Sequence, residues 1–103
     1  MGWNSAIHQS QMFRIDKIEV DGSITLTLAG VLDASAAVEA LNAMDGPLRE
    51  NRRLALDLSQ LRYADREGIR FLATAMRNGV HLSRVPQYIR SWLKQEGLDS
   101  GEG

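Results

Sequence analysis

The short apolar run from Leu54 to Leu58, bounded by Arg52-Arg53 and by Ser59-Gln60, most constrains the fold. Helical patterns lie on both sides of it. A five-residue run of this kind reads as a strand buried on both faces, as parallel strands under helices are. Before it, Ala37, Leu41, Met44 and Leu48 recur at helical spacing behind Asp33, whose carboxylate suits the first free amides of a helix. Gly46-Pro47 is expected to kink or end that helix. After the run comes a loop ending at Asp65, then a helix from about Arg66 to Asn78 with Ile69, Leu72, Ala73 and Met76 inward, stopped by Gly79. Val80 to Ser83 reads as a short strand. Pro86 suits the first turn of a last helix that carries Ile89 and Leu93 inward.

Upstream, Ile24, Leu26 and Leu28 alternate with Thr25 and Thr27 behind Asp21-Gly22, so a primed turn joins two antiparallel strands with one wet face. The first strand carries Phe13, Ile15, Ile18 and Val20, and its phase slips between Asp16 and Lys17, which suggests a bulge or a late start. The sum is an α/β domain: a four-stranded mixed sheet, with an antiparallel hairpin followed by parallel crossovers, packed with about three helices. Its expected bounds are 12–97, between a flexible N-terminal arm at 1–11 and a disordered tail at 98–103. Trp3 either docks or is disordered in that arm.

Composition narrows the function. The 103 residues suffice for one modest core, and 12 basic against 13 acidic residues give a net charge of -1 with no field to attract nucleic acid. The absence of cysteine removes disulfides, thiolate metal sites and thiol nucleophiles, and suits the cytoplasm. Met1 to Gln11 lacks the pattern of a secretory signal, and no stretch approaches a membrane span, so a cytoplasmic protein without direct membrane insertion is expected. His8 and His81 are isolated, with no second histidine at ligand spacing, and no Ser-His-Asp set or phosphate loop is present. No cofactor and no enzymatic activity are expected.

Asp33, Asp57, Asp65 and Glu67 fall near the carboxyl ends of the expected parallel strands, where ligands of open α/β sheets sit. They read either as a cluster for a metal or an aspartyl phosphate, or as two helix caps, Asp33 and Asp65, with Asp57 bracing a loop. The capping reading is favoured. Lys17 and Lys94, the only lysines, lie away from where a phosphoacceptor would need one.

Taken together, these segments resemble the STAS domain, the module of anti-sigma factor antagonists and of sulphate transporter tails. Leu28-Ala29-Gly30-Val31-Leu32-Asp33 resembles its Gly-x-Leu-Asp turn, Leu56-Asp57-Leu58-Ser59 its third-strand motif, and Asp65-Arg66-Glu67-Gly68 its Asp-Ser-Ser-Gly loop. Pro86 to Leu93 resembles its last helix. The resemblance runs from about Phe13 to Gly97, and it implies a protein-binding domain of bacterial signalling. The partner it implies is an anti-sigma factor or a kinase-like protein. In phosphorylated members the serine after the aspartate accepts phosphate; here that position is Arg66, which has no hydroxyl, and the next is Glu67. Arg70, where a small residue is usual, and a short second helix mark a divergent member.

Glu67 suits a helix N-terminus, by roughly 0.3 to 1 kcal/mol, whereas Arg66 opposes the dipole and is expected to pair with Glu67, Asp65 or a partner's acid. At about 100° per residue, Arg66, Arg70 and Arg77 form one stripe on this helix. Phe71 lies nearly opposite the inner face and reads as an exposed interface anchor. Tyr88 and Trp92 form a second aromatic pair, which most simply completes the core, and the exposed aromatics are compatible with a homodimer. The expected partner-binding set is therefore Asp33, Asp65, Arg66, Glu67, Gly68, Arg70 and Phe71. Two other expectations stand beside it: an accessory subunit of a transport complex, packed on an ATPase, and a metal-dependent phosphoacceptor.

Overall fold

The structure, a computed structural model, describes residues 13–97 and the backbone of 5–9. Its elements in chain order are β1 (Ser5–Gln9), β2 (Phe13–Val20), β3 (Ser23–Leu32), α1 (Ala34–Arg49), β4 (Arg53–Asp57), β5 (Leu61–Ala64), α2 (Arg66–Arg77), β6 (His81–Ser83) and α3 (Gln87–Gln95). The mixed α/β architecture is the expected one, with β1 and β5 added to the four expected strands. β1 lies within the segment read as an N-terminal arm and pairs antiparallel with β2. Trp3, the side chain of His8 and the 98–103 tail lie outside the described residues.

The sheet runs in the order β1-β2-β3-β4-β6, with β5 also on β3. Asp21 and Gly22 both have positive φ, as a primed turn requires, and they set β2 against β3 in unbroken register from Phe13 opposite Gly30 to Val20 opposite Ser23. The expected bulge in β2 is therefore absent from this pairing. Its phase slip has another cause: Ile15 faces the core, while Ile18 and Val20 are exposed on the opposite face of the same regular strand. The register shift lies instead between β1 and β2, at Ala6/His8.

β3 is long enough to hold two parallel partners in succession. β4 runs along Ser23 to Thr27, and β5 takes up the same edge from Gly30 to Leu32. Gly30 marks the handover, with φ 99 and its amide donating to the Gln60 carbonyl at 3.2 Å. Only a residue without Cβ adopts that φ cheaply. The segment before Asp65, expected to be a loop, is thus a strand that carries the chain straight to α2.

The helices cover one face of the sheet. Ile24, Leu26 and Leu28 of β3 and Leu54 and Leu56 of β4 are buried beneath them, while Thr25, Thr27 and Ala55 on the other face are half-buried. In the Leu54 to Leu58 run, expected to be buried on both faces, Leu54, Leu56, Asp57 and Leu58 are buried and Ala55 is half-buried. Each fully buried leucine or isoleucine contributes about 1.5–3 kcal/mol, and Ile15, Leu26, Leu28, Leu56, Leu72 and Ile89 are among them.

α1 also departs from expectation. It continues through Gly46-Pro47 to Arg49, and Pro47 is buried. Gly46 lacks the Cβ that a following proline ring would strike, and the missing proline amide removes one hydrogen bond without stopping the last turn. The helix then closes with the Glu50 amide on the Gly46 carbonyl and the Arg52 amide on the Pro47 carbonyl. Arg52 ties this corner to the hairpin through Glu19, Glu50 and the Gly22 carbonyl.

α2 sits between α1 and α3 and is pressed onto the end of β3. A Cβ on Gly68 would lie 2.2 Å from the Leu32 carbonyl oxygen, a backbone atom that cannot swing aside. Gly79, at φ 88, has open space around it. Gly68→Ala is expected to cost about 3 kcal/mol through overpacking, and Gly79→Ala about 1 kcal/mol through backbone strain alone. Urea denaturation of the two variants checks the order.

Candidate partner-binding site

The end of β3 brings two helix starts together. Leu32 accepts the Asp65 amide at 3.1 Å, and the next residue, Asp33, begins α1. Asp33 Oδ1 accepts from the Ala36 amide at 2.9 Å, and Asp65 Oδ1 accepts from the Gly68 amide at 2.9 Å. Both aspartates are half-buried and extended, as N-caps are. Asp57 is a third case: buried, it accepts from the Ser59 amide at 2.9 Å and stands 3.6 Å from Arg84. The capping and bracing roles read from the sequence are those the geometry has. Among the described residues no group of three or more histidines and carboxylates is placed to hold a metal ion.

The first turn of α2 points outward. Arg66 is exposed and makes no ion pair or side-chain hydrogen bond among the described residues, so the expected pairing with Asp65 or Glu67 does not occur. Asp65 is occupied by the Gly68 amide, and Glu67 leans one turn forward to Arg70, at 3.9 Å between exposed side chains. A contact that long in water contributes little. Gly68 is no part of the surface; it is buried against β3.

Phe71 requires the largest correction. It is 7% exposed and does not project as an anchor. The inner arc of α2 is wider than Ile69, Leu72, Ala73 and Met76 imply, because the helix is flanked by α1 as well as by α3. Phe71 and Ala75 fill the α1 side.

Beside Phe71 a groove of about 400 Å³ opens between α1 and α2. Its α1 bank is Val38, Leu41 and Leu48, which are 56%, 51% and 40% exposed. Its α2 bank includes Glu67, Arg70, Phe71 and Thr74. Leu41 and Leu48 recur at helical spacing with Ala37 and Met44, yet both stand on the open bank. The core beneath α1 is taken instead by Ala36, Ala37, Ala40, Met44 and Pro47. The signal was present in the sequence: with Val38 included, the apolar arc of α1 is wider than one sheet face can cover.

A second aromatic surface lies at the other flank of α2. Trp92 is half-buried and packs on the core, as expected for it, whereas Tyr88 is exposed, as is Tyr63 of β5. Partial burial pushes the Tyr88 phenol up from its ordinary value, the Ala64 backbone opposes this, and Tyr63 adds a smaller upward push.

A mixed sheet covered by helices on one face, whose central strand ends against a capped helix start, defines a small α/β module with its loop-and-helix end open. A family model described as Mlab, STAS domain matches residues 16–100. The chain belongs to the STAS family. Comparison with curated proteins gives no match.

Asp65→Ala and Asp33→Ala are each expected to lower stability by about 1 kcal/mol through loss of the cap, while Arg66→Ala stays within about 0.5 kcal/mol because it removes no contact. Thermal or urea unfolding of the three variants provides the comparison.

Proposed function

We propose that this STAS domain is a non-catalytic protein-binding module of bacterial cytoplasmic signalling, anti-sigma factor antagonist-like, which engages its partner through the Asp65 loop and α2 without serine phosphorylation. The observation that carries this reading is Arg66: a cation kept exposed, with no partner among the described residues, in the first turn of a helix whose dipole disfavours it. A residue placed against its local electrostatics, on the same helix as Glu67 and Arg70 at the rim of an open apolar groove, suits an acceptor supplied from outside. At the loop position where phosphorylated relatives carry serine this side chain offers no hydroxyl, so partner binding there is set by the sequence and not by a kinase. Asp33, Asp65 and Gly68 hold the loop in place; Arg66, Glu67 and Arg70 face outward from it.

A second reading has support from the same missing hydroxyl. A surface that phosphate cannot switch also suits constitutive assembly, as an accessory STAS subunit of a transport complex packed on an ATPase. The two differ in what co-purifies: a soluble kinase or anti-sigma factor in the first case, a membrane-associated ATPase in the second. The phosphoacceptor reading gains no such support, since the carboxylates of Asp33, Asp57 and Asp65 each hold a backbone amide.

The test is quantitative affinity capture from the native cells with wild-type protein and Arg66→Glu, the fold of each checked by its melting temperature. Arg66→Glu is expected to reduce recovery of a specific protein at least about tenfold, the equivalent of about 1.4 kcal/mol, with an unchanged melting temperature. Equal recovery by the two folded proteins would remove the loop from the binding surface.

A further inference from the structure

The groove between α1 and α2 has two unlike banks, and this constrains what fits it. On the α1 bank Val38, Leu41 and Leu48 present branched apolar side chains to solvent, and Asp45 on the same helix is paired with Arg49 at 3.1 Å. That bank is apolar with its charge internally matched. The α2 bank is different. Taking Arg66 as the origin and about 100° per residue, Arg77 lies at about 20°, Arg70 at about 40°, Thr74 at about 80° and Phe71 at about 140°. Phe71 thus forms the floor, Asn78, Glu67 and Thr74 the lip, and the three arginines a stripe beyond it, of which Arg70 lines the groove itself and Arg66 and Arg77 stand outside its rim. Arg66 and Arg77 have no acceptor among the described residues, and Arg70 has only the distant Glu67.

A helix laid in such a groove buries its apolar ridge between Leu41 and Phe71, and one flank comes to rest over the arginine stripe. Basic side chains on that flank would be repelled, neutral ones would leave the arginines as they are, and carboxylates would meet them. Along α2 the guanidinium-bearing residues are separated by about 6 Å from Arg66 to Arg70 and by about 10 Å from Arg70 to Arg77. Carboxylates one and two turns apart on a partner helix match those separations. Three exposed arginines beside an apolar trough also disfavour a second copy of this chain, whose own α2 would bring like charges together.

We propose that the α1/α2 groove docks an amphipathic helix of a partner protein, with its apolar face between Leu41 and Phe71 and an acidic flank along Arg66, Arg70 and Arg77. The inference rests on the protein-binding reading above and adds to it the chemistry and secondary structure of the segment bound. It also extends the binding surface from the first turn of α2 to the helix's far end and across to α1.

The experiment places a photo-crosslinking phenylalanine derivative, one position at a time, at Leu41, Thr74 and Arg66 of the full chain in the native cells, and sequences the adducts by mass spectrometry. Leu41 and Thr74 are expected to capture the same partner segment, helical in periodicity, with apolar residues at i, i+3/4 and i+7 and carboxylates along one flank. Arg70→Glu with Arg77→Glu, in the protein carrying the label at Leu41, is expected to reduce that adduct at least fivefold without changing the melting temperature. An adduct segment that is basic, extended or uncharged, an adduct with a second copy of this chain, or insensitivity of the Leu41 adduct to the double charge reversal would each overturn the inference. Adducts confined to Arg66 would overturn it while leaving the loop as the binding site. No adduct at any of the three positions would overturn both.

Discussion

The close approach of Gly68 to the Leu32 carbonyl is the contact on which the rest of the molecule depends. It sets the first turn of α2 directly onto the end of the central strand, where the same carbonyl also receives the Asp65 amide. Because Asp33 follows Leu32, the start of α1 is fixed by the same few atoms. The two helices therefore share an origin, and the angle at which they leave it determines the width of the groove between them. A side chain as small as a methyl at residue 68 would push α2 off the strand and alter all three at once.

The sheet accommodates this arrangement through one long strand. β3 supports β2 on one edge and, on the other, first β4 and then β5, with Gly30 absorbing the change of register. The short run Leu58-Ser59-Gln60 displaces the chain along the edge without crossing it, so Ala64 arrives level with Leu32 and the next residue is already at the helix start. Backbone hydrogen bonds thereby deliver Asp65 to its cap. The outward orientation of Arg66 follows from this backbone path, since the preceding side chain is committed to the Gly68 amide and the following one leans toward Arg70.

Much of the fold was legible because local rules and tertiary packing agree. Asp21-Gly22 dictates a primed turn whatever surrounds it, and the alternation of Ile24, Leu26 and Leu28 fixes which face of β3 is inside. Asp33 and Asp65 before apolar periodic runs are caps by short-range hydrogen bonding. What periodicity misjudged depends on neighbours. Phe71 is buried because α1 lies beside it, and Leu41 and Leu48 are exposed because the small residues Ala36, Ala37 and Ala40 bring α1 close to the sheet on a different face. Ile18 and Val20 stand on the open side of the sheet, where no helix covers them. β5 is not legible in the sequence for a similar reason: Leu61 to Ala64 has little alternation of its own, and it is a strand because β3 offers it an edge.

The candidate site divides in the same way. The sequence alone determined the family through its ordered motifs, the presence at position 66 of a side chain without a hydroxyl, and the arginine stripe of α2, since each depends only on residue identity or on the fixed geometry of one helix. Tertiary structure alone decided that Gly68 is a packing residue, that Phe71 is a floor and not an anchor, and that an apolar bank on α1 lies beside an α2 bank carrying Glu67 and Arg70. The reason is physical: a helix's own pitch fixes which of its residues share a face, but whether that face is buried is set by elements distant in sequence that meet it only when the chain has folded.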